Sequence, residues 1–131
     1  MDKSEKIKAL KNYNSLIYRI EELTDLYVEL FTSATKITAS CSGLPTSHNN
    51  GSKLELITDK LVKTKEEIER ITEMKVKIDL SLGTLKPKEE NIIREIDING
   101  KSLARYAKEN KRNYKYIIRL HSQSLDKLFL D

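Results

Sequence analysis

Asn99-Gly100-Lys101-Ser102-Leu103-Ala104-Arg105-Tyr106-Ala107, followed by Asn113-Tyr114-Lys115-Tyr116-Ile117-Ile118-Arg119-Leu120, is the stretch that decides how this chain is read. Asn99-Gly100 makes a turn. Ser102 is placed to cap a helix running to about Asn110. Asn113 is placed to cap a longer helix that buries Ile117, Leu120, Leu125 and Leu128. Turn, short helix, turn and longer basic helix is the layout of a helix-turn-helix, whose second helix can enter a DNA major groove.

Charge points the same way. Of 24 basic and 20 acidic residues in the chain, 11 and 7 fall in residues 83–131, so the whole net charge of +4 resides there and residues 1–82 balance to zero. Between Lys101 and Arg119 stand seven cations and one acid, Glu109. Such a stripe neutralises phosphates and releases their counterions. With Asn113 as the cap, Tyr114, Lys115, Ile118 and Arg119 face outward in the first turns of the last helix, Tyr116 lies at the margin, and Gln123 is exposed a turn later. Arg119 has the reach to read guanine with two hydrogen bonds, and Tyr114 to bond a phosphate or pack on a thymine methyl. Lys101, Arg105, Lys108, Lys111 and Arg112 complete the expected DNA-binding set, flanking the groove and touching its backbone.

Upstream, the pattern changes. Residues 4–38 hold no Pro or Gly, and Ala9, Tyr13, Leu16, Ile20, Leu23, Tyr27, Leu30, Ala34 and Ile37 recur at alternating spacings of four and three, widened by Leu10, Ile17 and Phe31. That seam predicts one long helix packed along another. Ala39–Ser52, with Gly43, Pro45 and Asn50-Gly51, reads as a loop, and Ser52 with Glu55 as a capping box for the next helix. Residues 53–82 repeat the seam through Ile57, Leu61, Thr64, Ile68, Ile71, Lys75, Ile78 and Leu82. Two such helices joined by one loop predict an antiparallel hairpin, which buries little surface alone and so is expected to form a homodimer or to pack against the carboxyl-terminal unit. Gly83-Thr84 ends the second helix, Pro87 suits the first turn of the next, and residues 87–98 form a short helix with Ile92, Ile93, Ile96 and Ile98 on its apolar face.

With 34% charged and 38% apolar residues, four Gly and two Pro, the composition favours long helices with solvated faces over a sheet protein. No apolar run is long enough to span a bilayer. Met1–Lys6 lacks the apolar core of a signal peptide. The single Cys41 leaves no internal disulfide. These features predict a soluble cytoplasmic protein with no membrane contact. Catalysis finds no support. His48 and His121 lack a Cys or paired acid at ligand spacing, so no metal is expected. Cys41 has no local base, Glu66-Glu67 and Glu89-Glu90 diverge on their helices, and no glycine-rich phosphate loop is present. No cofactor is implied.

From Leu85 to Leu128 the chain resembles the helix-turn-helix of bacterial sigma factor region 4. Leu85-Lys86-Pro87-Lys88-Glu89 is similar to that family's opening Leu-Thr-Pro-x-Glu, Ile98–Ser102 to its turn, and Arg119–Leu128 to its close on Ala-Leu-x-Lys-Leu. Over nearly its full length it resembles small phage and prophage proteins of Gram-positive bacteria, in which a helical hairpin precedes a region 4-like end, as in RinA- and ArpU-type late transcription regulators. The hairpin loop, Ala34–Ser40 followed by Ser-Gly-Leu-Pro, resembles theirs. Lys86 stands where the family has a capping Thr, an exchange that costs about 1 kcal/mol. The usual Leu-Gly-Ile/Val-Ser turn is here Asn110-Lys111-Arg112-Asn113, in which a left-handed Lys111 costs roughly 1 kcal/mol. The turn is therefore expected to be rebuilt or the preceding helix to run longer.

These readings converge on an all-α chain: a long antiparallel hairpin in residues 1–82, then a three-helix, region 4-like helix-turn-helix in residues 83–131. The resemblance implies a phage-encoded transcription regulator whose partners are double-stranded DNA and RNA polymerase. Two alternatives stand beside it: a module that docks on RNA polymerase or another host protein without touching DNA, and a small DNA-packaging subunit. Burial of Tyr114 and Arg119 would favour the docking module.

Overall fold

A computed structural model of the protein describes residues 2–41 and 48–130, with side chains described over 2–38 and 51–130. Among the described residues all regular structure is helical and no strand occurs. The helices are α1 (Lys3–Lys11), α2 (Tyr13–Cys41), α3 (His48–Gly83), α4 (Pro87–Ile93), a π turn (Arg94–Ile98), α5 (Leu103–Glu109) and α6 (Tyr114–Lys127). The chain is all-α. No helix among the described residues is long and apolar enough to cross a membrane.

Two compact units divide the chain. One comprises residues 18–73, the other residues 1–17 together with 74–131. This division does not coincide with the boundary expected at residue 82. The start of α2 and the end of α3 belong with the carboxyl-terminal helices because their apolar side chains, Tyr13, Leu16, Ile78 and Leu82, are buried there.

In the unit of residues 18–73 the heptad seam sets the burial. Leu23, Thr64 and Ile71 are buried, while Ile20, Tyr27, Leu30, Ala34, Ile37, Ile57, Leu61 and Ile68 are half-buried. Phe31, expected to widen the stripe, is exposed instead, together with Tyr18 and Val28. Ser52 is not a cap. α3 begins four residues earlier, at His48, so Ser52 lies inside the helix and the expected capping box does not form. The remainder of the loop expected over 39–52 falls largely outside the described residues.

The larger unit packs α6 against α4, α5 and α1, with the π turn against α1, α4 and α5. Its centre is Leu10, Leu82, Ile92, Ile93, Ile117, Leu125 and Leu128, all withdrawn from solvent. Burying each such side chain contributes about 1.5–3 kcal/mol. The single helix expected over 4–38 is broken at Asn12. α1 has its own start, where the Glu5 N–H donates to Asp2 Oδ1 at 2.8 Å and the Asp2 N–H to Glu5 Oε2 at 3.3 Å. It then packs on the π turn and α6. Tyr13, the first residue of α2, donates its hydroxyl to Asp79 near the end of α3 at 2.6 Å. Lys75 is the one cation in the apolar seam. Its Nζ lies 5.7 Å from the centre of the Tyr13 ring and 2.8 Å from Asp79, so the charge is partnered from two sides.

The helix expected over 87–98 is α4 followed by the π turn. The Asn99 N–H reaches Arg94 O, five residues back, at 2.9 Å, and the widened turn places both Asp97 and Ile98 inward. Lys86 provides no side-chain cap for α4. In its place the Glu89 carboxylate accepts from the Lys86 N–H at 3.1 Å.

Candidate nucleic-acid interface

Two turns aim α5 and α6. Gly100 takes a left-handed φ of 80° after the π turn, a conformation open to glycine at no steric cost. Ser102 then caps α5, its hydroxyl accepting from the Arg105 N–H at 3.1 Å. The second turn is not preceded by a longer helix. α5 stops at Glu109, and Lys111 takes the left-handed position at φ 52°. The Arg112 N–H bonds Ala107 O at 2.9 Å and the Lys111 N–H bonds Lys108 O at 3.3 Å, a Schellman closure with lysine where glycine is usual. Asn113 caps α6, accepting from the Lys115 N–H at 2.8 Å.

α6 has two faces. Ile117, Ser124 and Leu125 are buried on one, and the other carries two adjacent rows. Residues four apart on a helix are neighbours. Tyr114 and Ile118 form one row, 49% and 41% exposed, and Lys115, Arg119 and Gln123 form the next, all exposed. Tyr116 is exposed at the margin with the Arg112 guanidinium stacked over its ring, 5.9 Å from the centroid. No acidic residue occupies the first turn of α6, so the positive end of the helix dipole adds to the local field.

The seven cations expected at the interface separate into two groups. Lys108, Lys111, Arg112, Lys115 and Arg119 are exposed, and among the described residues no ion pair involves them. The other two are engaged within the protein. Lys101, only 20% exposed, lies 2.6 Å from Glu109 and 2.8 Å from Glu95. Arg105 holds the other Glu109 oxygen at 2.9 Å. These hydrogen bonds push the Lys101 ammonium above its ordinary pKa and hold the Glu109 carboxyl below its own, Lys101 being the larger influence and Arg105 the second. Lys101 was expected to flank a groove. Its charge is spent on joining the π turn to α5, because the fold brings Glu95 and Glu109 to it.

Other contacts at the site join residues far apart in sequence. His121 Nε2 lies 2.8 Å from Asp97 Oδ2, in a pair of which the two side chains keep 12% and 4% of their exposure. The π turn is thereby fastened to the middle of α6. Lys3 donates to Ser122 Oγ at 2.5 Å and pairs with Asp126 at 3.3 Å. Lys6 donates to Leu125 O at 2.8 Å, so α1 grips the last turns of α6 and neutralises Asp126. Glu89, nearly buried, receives Lys127 at 2.7 Å. Its carboxyl is held below the ordinary range, first by that hydrogen bond. Lys88 joins Tyr106, Arg112 and Tyr116 in lining a cleft of about 170 Å³ between α4 and α6, which adds a cation that no local pattern singled out.

No protein-family model, curated protein or solved structure matches this chain. Among the described residues no group of three His, Cys, Asp or Glu side chains stands close enough to hold a metal. The side chains of Cys41 and His48 lie outside the described residues.

Proposed function

We propose that this protein is a DNA-binding transcription regulator of the phage type, which lays the first turns of α6 in the major groove of duplex DNA. The observation that carries this reading is the outer face of α6 and the turn before it. Five cations that form no ion pair among the described residues surround an open helix start there, while the acid nearest to it in sequence, Glu109, is already bound to Lys101 and Arg105. A cationic helix N-terminus is suited to phosphates, and the exposed side chains behind it to base edges. In this reading Lys108, Lys111 and Arg112 hold the backbone, and Tyr114, Lys115, Ile118, Arg119 and Gln123 face the groove floor. Residues 1–82 supply self-association or a contact with RNA polymerase. Burial of Tyr114 and Arg119 would have favoured the docking alternative, and both are exposed.

Fluorescence anisotropy with a labelled duplex at several salt concentrations tests the proposal. Three phosphate contacts, from Lys108, Lys111 and Arg112, give a slope of log affinity against log salt near −2.7, at about −0.9 per contact. Lys115→Glu combined with Arg119→Glu abolishes binding. Salt-independent binding, or none at any salt, refutes the proposal.

A further inference from the structure

Tyr114 and Ile118 form the outward apolar row at the start of α6, with Tyr116 exposed at its margin beneath the Arg112 guanidinium. Their row goes no further, because its next member, Ser122, is engaged by Lys3 from α1. An apolar patch of two residues, bounded on one side by Lys115 and Arg119 and preceded by Lys111 and Arg112, is poorly matched to another protein's apolar surface: docking there would desolvate four cations. It is well matched to a polyanion that carries small apolar bumps. On the floor of the B-form major groove the only such bump is the 5-methyl group of thymine.

We infer that Ile118 and Tyr114 form a methyl-reading row that selects duplexes carrying 5-methylpyrimidines in the major groove, thymine above all. The inference rests on the duplex-binding reading and specifies which face of the duplex that site recognises. Ile118 Cβ branching presents two methyl-bearing arms in one rotamer, so the contact needs little ordering. Lys115 and Arg119, one row over, supply affinity without this selection.

The test uses the full chain and two labelled probes, a short alternating dA·dT duplex and the same duplex with deoxyuridine at every thymidine. Loss of one buried methyl weakens binding about fourfold and loss of two about fifteenfold, from about 0.8 kcal/mol per methyl. A second pair of probes, an alternating dC·dG duplex with and without 5-methylcytosine, places the same methyl in the same groove without changing the thymine content. Methylation there tightens binding by a similar factor. Ile118→Ser narrows both differences, while Ile118→Val retains them. Equal affinity for the thymidine and uridine duplexes overturns the methyl-reading row and leaves duplex binding standing. Failure to bind any of the four duplexes overturns both.

Discussion

Replacing His121 with Ala leaves the Asp97 carboxylate, 4% exposed, without the imidazole that lies 2.8 Å from it. Leaving one partner of a buried hydrogen bond unsatisfied costs about 1–3 kcal/mol, since the remaining group stays desolvated. A domain of this size has a total stability of roughly 5–15 kcal/mol. The single change therefore removes a large share of the stability of the unit formed by residues 1–17 and 74–131. Asp97→Ala costs less than His121→Ala, because a neutral imidazole tolerates burial better than a carboxylate. The paired change His121→Leu with Asp97→Leu removes both polar groups and stays within about 1 kcal/mol of the wild type, as replacement of buried pairs by apolar residues does elsewhere. Urea denaturation followed by circular dichroism and tyrosine fluorescence, closed as a double-mutant cycle, measures the coupling. A coupling above about 2 kcal/mol supports the assignment. Single variants that each cost under about 1 kcal/mol and add without coupling refute it.

Further predictions follow from the same geometry. Lys108→Gln lowers the steepness of the salt dependence by about 0.9, whereas Lys101→Gln leaves it nearly unchanged because Glu95 and Glu109 already occupy that ammonium; anisotropy at graded salt separates the two. Lys111→Gly stabilises the protein by up to about 1 kcal/mol, the left-handed strain of lysine less the freedom that glycine gives the unfolded chain. A drop in thermal stability contradicts that. Glu89 is held below the ordinary carboxyl range chiefly by Lys127, and Asp79 likewise, where burial pushes its pKa up but the hydrogen bonds from Lys75 and Tyr13 outweigh it. Depressed carboxyl pKa values give stability that is present above the unfolded values and lost as pH falls through the folded ones, so Tm declines below about pH 4 and more gently in Glu89→Gln. An unchanged decline in that variant removes Glu89 from the account.

Local chemistry was legible in the sequence and non-local chemistry was not. The seam spacings picked out side chains that the fold withdraws from water, from Leu16 and Leu23 through Ile71 and Leu82, because a helix turns each of them to one side regardless of what lies opposite. Ser102 and Asn113 were recognisable as caps and Gly100 as a turn residue because such motifs close within a few residues. Lys111 takes a left-handed φ of 52°, although its side chain argued against it. The break at Asn12 and the π turn escaped detection, since each answers to packing partners distant in sequence. Ser52 misled because cap residues also occur inside helices. At the candidate interface, exposure of Tyr114, Lys115, Ile118 and Arg119 followed from helical phase. The pairing of Lys101 with Glu95 and Glu109 was not legible, because those acids are brought to it by a turn and a helix whose approach no spacing encodes. The same reason hid the His121–Asp97 pair and the grip of Lys3 and Lys6 on α6.

The claim on which the functional account rests is that the outer face of α6 is the surface a duplex covers. Backbone amide chemical shifts recorded on the full chain during titration with a dA·dT duplex test it residue by residue. The account predicts that the largest changes cluster between Lys108 and Arg119 and fade with added salt. Changes centred on residues 18–73, or an unaltered spectrum at saturating duplex, would contradict it.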